Sequence, residues 1–474
     1  MANVIDADIC VIGAGSAGLS VAAGASQMGA RVVLVEKGEM GGDCLNYGCV
    51  PSKALLAAGH AAHAGAVAPK YGVSLGSASY DPVAVHDHVK GVIAAIAPMD
   101  SVERFEGFGV TVIKAAARFT GPQEVMAGDT RITARRFVIA TGSSPVAPPI
   151  EGLSETPYFT NETLFDNKDR IDHLLIIGGG PIGLEMAQAH RQLGIAVTVI
   201  DLGPILPKDD PDAVEVVRKS VLEDGVVLHE KVKVIRTDKT AQGVSVTIET
   251  KGAEKTITGS HLLVAAGRAA NVKGLDLEKA GVDYDRAIKV DKRLRTSNRK
   301  IFAMGDVAGS YQFTHVAGYH AGVVIRNILF RLPAKVDYRA VPWVTYTDPE
   351  LAHVGMTLDE AKQEQGDNLR ILHWGFDEND RAQSERSTEG FVKVLTTRKG
   401  HILGATIVGK NAGELIHPWI IAIQNKLKIG AMATYIAPYP TLGEVNKRAA
   451  GSFYTEKLFS ERTRRIVRFL LRFG

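Results

Sequence analysis

The sequence has few cysteines and little excess charge. Only three of its 474 residues are cysteine, which argues against an extracellular disulfide scaffold. The net charge is only +3, so the chain lacks the strong positive charge of a general polyanion binder. These features favour a protein of the cytoplasm and give no sign of nucleic-acid recognition.

The sequence also lacks long apolar runs. None approaches the roughly 18–20 residues that a membrane-spanning helix needs. The N-terminus enters an apolar strand at once, without the basic and apolar segments of a signal peptide. With 45% hydrophobic and 23% charged residues, the composition is that of a soluble globular protein. The length predicts about three domains.

A first nucleotide-binding pattern lies in ADICVIGAGSAGLSVAAGASQMGARVVLVEK (7–37), which predicts a strand, a glycine turn, a helix and a second strand. Gly13, Gly15 and Gly18 form G-x-G-x-x-G, which allows a tight turn, close approach of backbone to a pyrophosphate and close helix–strand packing. Glu36 lies 18 residues after Gly18, where a carboxylate accepts hydrogen bonds from a ribose. We therefore expect a dinucleotide site.

The same pattern recurs in HLLIIGGGPIGLEMAQAHRQLGIAVTVID (173–201). It contains Gly178, Gly180 and Gly183, and Asp201 again follows 18 residues after the third glycine. Two such folds predict two dinucleotides, one of them tightly held. An acid at the strand end favours NADH, because it would repel the 2′-phosphate of NADPH. The nearest basic candidate is Lys208, beyond two prolines.

Two of the three cysteines stand five residues apart in GGDCLNYGCVPSK (41–53). One explanation is a structural bridge or two inert thiols. Another is zinc, but Cys44 and Cys49 have neither a second cysteine pair nor a nearby histidine to complete a zinc site. We favour a catalytic redox pair and predict no metal site.

Three physical features favour redox chemistry at this pair. Residues five apart on an ideal helix lie about 8 Å or more apart, beyond the roughly 7 Å limit for a disulfide. Gly48 and Pro51 predict an irregular helix entrance that would bring the sulfurs together. A helix N-terminus stabilises a thiolate. Lys53 lies four residues after Cys49, so its cation would face the same thiolate.

With this segment, the chain resembles the class I pyridine nucleotide–disulfide oxidoreductases, the family of dihydrolipoamide dehydrogenase, glutathione reductase and mercuric reductase. The resemblance runs from about residue 6 to about residue 450. It includes GAGSAG, ATG, GGGPIGLE, AAGR, MGD, YTDPELAHVG and DRAQSERSTEGFVKV, in this order.

The resemblance implies an α/β fold with two Rossmann-like domains, one for FAD and one for NAD, and a C-terminal α+β dimerisation domain. The FAD domain would span 1–148 and 273–335, with the NADH domain inserted at 149–272. An interface domain at 336–450 and a basic amphipathic tail at 451–474 would follow. Because the end of the interface domain would reach the partner subunit's sulfurs, the resemblance implies an obligate homodimer.

The resemblance also implies the cofactor contacts. Glu36 would bind the adenosine ribose of FAD and Asp306 its ribityl chain. Asp201 would bind the ribose of NADH. The remaining residues expected at the two cofactors are Gly13, Gly15, Gly18, Lys37, Gly42, Lys53, Ala117, Thr141, Gly142, Gly178, Gly180, Gly183, Gly267 and Arg268.

In the implied mechanism, NADH gives hydride to the flavin, and the flavin passes two electrons to the disulfide. Cys49 would be the sulfur against the flavin, and Cys44 the outer sulfur that exchanges with substrate. Lys53 would pair with Glu185 near flavin N5. Cys44 would then attack a substrate disulfide or bind a thiophilic metal.

One segment departs from the disulfide reductases of this family, which end in HPT…E with an acid–base histidine. The matching stretch is APYPTLGEVNKRAA (437–450), so Tyr439 stands in place of the histidine, while Glu444 remains. An unperturbed tyrosine has a pKa of about 10 and is a poor base at neutral pH. A tyrosine there resembles mercuric reductase, but the C-terminal cysteine pair of that enzyme is absent. Tyr439 either packs at the dimer interface or positions substrate and donates a proton weakly.

The tail ERTRRIVRFLLRFG (461–474) alternates arginines with apolar residues. On a helix this is a basic amphipathic pattern, which suits anionic lipid or an acidic partner over 456–474. The alternative is that this helix packs on its own dimer.

The main functional hypothesis is an FAD-dependent reductase of a small-molecule disulfide, resembling dihydrolipoamide dehydrogenase. The alternatives are a metal-ion reductase of the mercuric type and a membrane-docked NADH:quinone electron carrier.

Overall fold

The computed structural model of the protein describes residues 3–76 and 79–473. The first nucleotide fold is a seven-stranded sheet. Its strand Asn3–Ile12 lies between Val32–Glu36 and Thr130–Ile139 and pairs with both in parallel. The other strands of this sheet are Thr111–Lys114, Ala117–Gly121, Glu124–Ala127 and Ile301–Ala303.

Alternating apolar residues bury both faces of this sheet. Ile9 and Val11 belong to the core on one face, whereas Cys10 and Ile12 belong to the core on the other. This is the period of two that an extended strand imposes. The helices in this part of the chain are Ser16–Gln27, Gly42–Asn46, Cys49–Val67, Pro82–Ile96, Val102–Gly107 and Thr314–Ile328. Two of them, Cys49–Val67 and Pro82–Ile96, contribute their buried residues to the core of the second nucleotide fold.

The second nucleotide fold is a four-stranded parallel sheet, with the order Val227–His229, Ala196–Ile200, His173–Ile177 and His261–Val264. An antiparallel sheet of Lys233–Thr240, Gly243–Thr250 and Ala253–Gly259 accompanies it. The helices of the second nucleotide fold are Asn161–Leu164, Pro181–Gln192 and Pro211–Glu223. The chain passes from the first fold to the second after Ser143–Pro145 and returns after Arg268–Ala270. These two segments pair as a two-stranded antiparallel ribbon.

The redox helix, Cys49–Val67, packs on helix Pro181–Gln192 of the second fold. A Cβ atom at Gly59 would lie 2.9 Å from the carbonyl oxygen of Ala189, so glycine allows the two helices to approach closely. This packing places Cys49, the first residue of the redox helix, at the junction of the two nucleotide folds.

The C-terminal domain is an antiparallel sheet in the order Pro342–Thr345, Glu350–Gly355, Ile402–Gly409, Phe391–Thr397 and Leu369–Gly375. Its helices are Leu358–Gln365, Asp380–Ser384, Ala412–Leu415, His417–Gln424, Ile429–Thr434 and Glu444–Leu458. The predicted fold class, α/β with two nucleotide folds and a C-terminal α+β domain, is therefore confirmed.

The chain ends in a tail helix, Glu461–Leu470, which follows a break at Phe459 and Ser460. The Ser460 side chain caps it by accepting the backbone N–H of Thr463. Short 3₁₀ turns complete the described structure at Ala68–Tyr71, Ala97–Asp100, Leu277–Ala280, Gly305–Ala308, Gly366–Asn368 and Phe376–Glu378. Within residues 3–76 and 79–473, no helix is long and apolar enough to cross a membrane.

Candidate active site

The two glycine turns have nearly the same geometry. Gly13 and Gly178 have φ angles of 105° and 120°, which strongly favour glycine. A Cβ atom at Gly13 would lie 2.4 Å from the carbonyl oxygen of Ala140, and one at Gly178 would lie 2.4 Å from that of Ala265, each directly after a neighbouring strand. A Cβ atom at Gly18 or Gly183 would lie within 2 Å of the carbonyl oxygen of Gly13 or Gly178, at 1.8 and 1.9 Å respectively. These glycines therefore allow tight turns and close helix packing.

The two predicted ribose-binding carboxylates hold these turns in place. Glu36 accepts the backbone N–H of Ala14 at 2.6 Å, and Asp201 accepts that of Gly179 at 2.5 Å. In each case the second oxygen accepts the backbone N–H of the residue two positions later, at 2.6 Å. Each oxygen keeps a further lone pair, so both carboxylates remain suitable acceptors for ribose hydroxyls.

A single cleft of about 1860 Å³ runs past both turns. Ordinary ligand pockets are about 300–1,000 Å³, so the cleft has room for more than one cofactor. The predicted residues that line it are Gly13, Gly15, Glu36, Lys37, Gly42, Cys44, Cys49, Lys53, Ala117, Thr141, Gly142, Gly178, Gly180, Glu185, Asp201, Gly267, Arg268 and Asp306. Its size, the two turns and their carboxylates fit FAD on the first fold and a nicotinamide dinucleotide on the second.

The two cysteines lie on different helices. Cys44 belongs to the short helix Gly42–Asn46, and Cys49 begins the redox helix after a break at Tyr47 and Gly48. Both are free thiols in this structure. The Cys44 side chain is half-buried, and that of Cys49 opens into the cleft, where its Sγ lies 3.5 Å from Thr314 Oγ1. The break brings the thiols within hydrogen-bonding reach of each other.

The surroundings give the two thiols opposite acidities. The hydrogen bond with Cys44, then that with Thr314 and the nearby Lys53 cation, lower the pKa of Cys49 to about 6 despite its desolvation. The same sulfur–sulfur hydrogen bond and burial raise the pKa of Cys44 above its usual range. Cys49 is therefore the more acidic of the two thiols. The third thiol, Cys10, is fully buried, which raises its pKa to about 12.

Lys53 and Glu185 meet at the base of the cleft. Lys53 Nζ donates to Glu185 Oε2 at 2.8 Å, and the carboxylate is almost fully buried. Its other oxygen accepts the backbone N–H of Tyr346 at 3.0 Å. Lys53 Nζ also lies 4.2 Å from the centroid of the Tyr346 ring. The predicted pairing of Lys53 with Glu185 is thus present in the structure.

Asp306 lies at the end of the strand Ile301–Ala303, on the cleft wall. Its Oδ2 accepts a hydrogen bond from Ser143 Oγ at 2.5 Å. Burial raises the pKa of Asp306. Arg268 donates to the Ser143 hydroxyl at 2.9 Å and pairs with Asp43 at 3.0 Å. Arg268 therefore links the second fold with the residue directly before Cys44.

Tyr439 and Glu444 are not among the residues that line the cleft. The Tyr439 side chain is 70% exposed, and its hydroxyl donates to Asp380 Oδ2 at 3.0 Å. That hydrogen bond to a carboxylate raises the pKa of Tyr439. Glu444 begins helix Glu444–Leu458. An exposed position outside the chain's own cleft is compatible with the expected contribution to a partner subunit.

Three residues of this site were missed in the sequence. Thr314 contacts Cys49, Tyr346 contacts the Lys53–Glu185 pair, and Asp43 pairs with Arg268. Tyr346 opens the YTDPELAHVG motif, and the charge of Asp43 beside a reactive cysteine was a further available signal. No comparable pattern distinguishes Thr314.

Two family models match the chain. The model described as pyridine nucleotide-disulphide oxidoreductase matches residues 7–321, and the model of its dimerisation domain matches residues 341–450. The tail helix lies beyond both.

The chain is also similar to curated proteins over nearly its whole length. It is 34% identical to a mercuric reductase from Staphylococcus aureus over 452 residues, which cover 94% of the chain and 82% of the relative. It is 33% identical to a dihydrolipoyl dehydrogenase from Bacillus subtilis over 455 residues, which cover 94% and 96%.

Solved structures agree with this relationship. A Cu(II) complex of the HOCl-induced flavoprotein disulfide reductase RclA from Escherichia coli matches with a TM-score of 0.84 and 26% identity, over 93% of this chain and 99% of that one. LpdA from Mycobacterium tuberculosis matches with a TM-score of 0.85 and 28% identity, over 94% and 99%. The chain therefore belongs to the pyridine nucleotide–disulfide oxidoreductases, the class I family that its motifs resemble, and is an FAD-dependent enzyme that uses NAD(P)H.

Proposed function

We propose that this enzyme uses NADH to reduce a small-molecule disulfide through the Cys44–Cys49 pair. The observation that carries the proposal is the position of the two free thiols on the wall of the cleft that passes both glycine turns, with the pKa of Cys49 lowered and that of Cys44 raised. A pair polarised in this way has one sulfur suited to contact a flavin and another suited to exchange with substrate.

FAD, when bound, supplies the chemistry that accepts hydride from NADH and passes two electrons to the disulfide. Within the chain, the first glycine turn and Glu36 would hold the adenosine half, and Asp306 the ribityl chain. Lys53 would hold positive charge beside the Cys49 thiolate, and Glu185 would fix the position of Lys53. The roles of these residues are part of the proposal.

The proposed thiol step takes both electrons from the cysteine pair, one proton from Cys44 and the second proton from solvent. The Cys49 thiolate takes the proton of Cys44, and the Cys44 thiolate attacks the substrate disulfide. One half of the substrate leaves as a thiolate, which solvent protonates, and a mixed disulfide forms on Cys44. The Cys49 thiol then gives its proton to the second half of the substrate as its sulfur attacks Cys44. This attack restores the Cys44–Cys49 bond and releases the second substrate thiol. The substrate thus gains two electrons and two protons, and the pair is oxidised.

Homodimerisation would complete this site. The matched dimerisation domain supports a dimer, and the exposed Tyr439 supports a contribution across the interface. In the proposal, the partner subunit's Tyr439 and Glu444 face the Cys44 side of the cleft. The domain division at 1–148 with 273–335, 149–272 and 336–450, and a location in the cytoplasm, belong to the same proposal.

The preference for NADH over NADPH is also proposed. Asp201 supports it, because a carboxylate at the ribose would repel a 2′-phosphate. Lys208, however, lies on the cleft wall and is exposed, so a cation is available beyond the strand end. The two coenzymes therefore have to be compared directly.

An acceptor panel tests the proposed substrate class. The anaerobic holoenzyme is reduced with NADH and then mixed with lipoamide, oxidised glutathione, mercuric ion or a soluble quinone. Disulfide reduction that is lost in Cys44→Ser supports the proposal. Turnover of quinone alone, unchanged in Cys44→Ser, would overturn it.

Reduction of a thiophilic metal ion is the second candidate. The presence of Tyr439 in place of an acid–base histidine favours it, since transfer of electrons to a metal bound by thiolates needs no proton relay for a leaving thiol. Mercury-dependent NADH oxidation in the presence of ordinary thiols, without disulfide turnover, would select this function.

A further inference from the structure

The tail helix has an apolar face that its own chain leaves uncovered. None of the residues Glu461–Leu470 is buried. Ile466, Phe469 and Leu470 are 50%, 56% and 59% exposed, and Phe473 beyond the helix is 74% exposed. These four residues have the spacing i, i+3, i+4 and i+7, which places them on one side. The rings of Phe469 and Phe473 indeed lie 5.0 Å apart.

The opposite side of the tail helix is basic. Arg464, Arg465, Arg468 and Arg472 have the spacing i, i+1, i+4 and i+8 and form a second stripe. Among the described residues, the only ion pair in this stripe joins Arg464 to Glu461 at 3.6 Å. Residues 451–474 have six basic and two acidic side chains, so their net charge is 6 − 2 = +4, whereas that of the whole chain is +3.

The positive charge of the tail helix favours one of the two surfaces that could cover its apolar face. A second copy of the chain could cover the apolar face, but the chain outside 451–474 has a net charge of 3 − 4 = −1, which offers little attraction to an arginine stripe. An anionic bilayer suits both stripes at once. Its acyl boundary accepts the aromatic and aliphatic side chains, while long arginine side chains extend to the phosphate level.

Two further features fit a helix that lies in the plane of a membrane surface. The residues before the helix include exposed apolar side chains, with Leu458 at the end of helix Glu444–Leu458 at 57% exposure and Phe459 in the break at 67%, so exposed apolar surface also precedes Glu461. The tail helix also lies outside both segments that match the family models, 7–321 and 341–450. It therefore lies outside the part of the chain that the two family models match.

We infer that the tail helix docks the enzyme on a bilayer surface rich in anionic phospholipid. Phe469, Leu470 and their apolar neighbours enter the headgroup–acyl boundary, and the arginine stripe binds lipid phosphates. This inference does not depend on the identity of the electron acceptor.

Vesicle binding by the full-length holoenzyme tests the inference. Sedimentation is compared for vesicles of phosphatidylcholine alone and of phosphatidylcholine mixed with phosphatidylglycerol. We expect binding only to the mixed vesicles and weaker binding as salt rises. Arg465→Gln with Arg468→Gln should weaken binding by about 25-fold, because each arginine near an anionic surface contributes about fivefold. Lys251→Gln with Lys255→Gln removes the same charge from an exposed hairpin of the second fold and should leave binding unchanged.

A second pair of variants separates lipid from protein contact. Phe469→Ser with Leu470→Ser should abolish vesicle binding while the dimer, the bound flavin and NADH oxidation remain as in the parent. Dissociation of this variant into monomers would show that the partner subunit covers the apolar face and would overturn the inference. Equal binding to both vesicle types, unchanged binding of the arginine variant, or no vesicle binding by the parent enzyme would also overturn it.

Discussion

The Arg268 guanidinium pairs with the Asp43 carboxylate at 3.0 Å, directly beside the outer cysteine of the redox pair. The two residues are 225 positions apart, since 268 − 43 = 225, and they come from different nucleotide folds. Asn161 of the second fold also donates to Asp43, at 3.0 Å, and to the Tyr47 carbonyl, at 3.1 Å. The second fold thus contacts this segment at two points, directly before Cys44 and between the two cysteines.

Asp43 should tune the acidity of the pair. Its negative charge raises the pKa of Cys49, in opposition to Lys53. We therefore expect Asp43→Asn to lower the pKa of Cys49 below its value of about 6. The ultraviolet absorbance of the thiolate in the reduced enzyme, followed against pH, reports this shift, because Cys10 with a pKa of about 12 does not ionise in the same range. Asp238→Asn is the control, because Asp238 is an exposed carboxylate that also pairs with an arginine, Arg236, but lies in the antiparallel sheet of the second fold. A raised pKa in Asp43→Asn would contradict this account.

The hydrogen bond between the two thiols should be the main cause of the low pKa of Cys49. Cys44→Ala removes the donor, so we expect the pKa of Cys49 to rise from about 6 toward the value of about 8.5 of a free cysteine. The thiolate then appears only at higher pH. Cys44→Ser keeps a hydroxyl donor and should show a smaller rise. Identical titrations of the alanine and serine variants would exclude the hydrogen bond as the cause.

The Lys53–Glu185 pair should respond unequally to the loss of either partner. Lys53→Met leaves an almost fully buried carboxylate without its cation, and we expect a loss of about 3 kcal/mol of stability. Glu185→Gln leaves a lysine that is 38% exposed and hydrated, with an expected loss of about 1 kcal/mol.

The double variant Lys53→Met, Glu185→Gln should be less destabilised than the sum of the two single variants, because the two side chains interact directly. Denaturant midpoints of the flavin-loaded enzyme measure all three losses. Additive losses would show that the pair is not coupled in solution.

Tyr439→His should introduce an acid–base group that titrates near neutral pH. If proton delivery limits disulfide turnover, we expect kcat/KM for a disulfide to rise by about a hundredfold, at the low end of what general acid–base catalysis contributes. The matched control is Tyr284→His, because Tyr284 is also exposed and its hydroxyl also donates to a carboxylate, that of Glu278. If kcat/KM for a disulfide does not rise in Tyr439→His, the role of Tyr439 is packing at the dimer interface.

Asp201 should determine the choice of coenzyme. Asp201→Asn keeps acceptor and donor atoms at the strand end but removes the charge that repels a 2′-phosphate. We expect kcat/KM for NADPH to rise relative to that for NADH. Glu36→Gln, the equivalent change on the first fold, should affect FAD retention and leave the coenzyme ratio unchanged. If Asp201→Asn leaves the ratio of kcat/KM for NADPH to kcat/KM for NADH unchanged, then Lys208 or another group determines the selectivity.

The local parts of the site were predictable from the sequence, whereas its long-range contacts were not. The glycine turns, Glu36, Asp201 and the cysteine pair each follow from short-range rules about backbone space, helix ends and spacing. The pairing of Lys53 with Glu185 was accessible only through family resemblance. Thr314 approaches Cys49 from a position 265 residues further along the chain, and nothing in its local sequence records that approach.

The paired acceptance of backbone N–H groups by Glu36 and by Asp201 has a thermodynamic consequence. An acidic side chain that is mobile on a protein surface loses rotational freedom when it binds a sugar hydroxyl, and this loss of entropy weakens binding. Here each carboxylate is already immobilised by its own loop, so an incoming adenosine moiety encounters a preorganised receptor on either half of the molecule. Affinity at both positions should therefore carry a smaller entropic penalty than the number of sugar contacts alone would suggest.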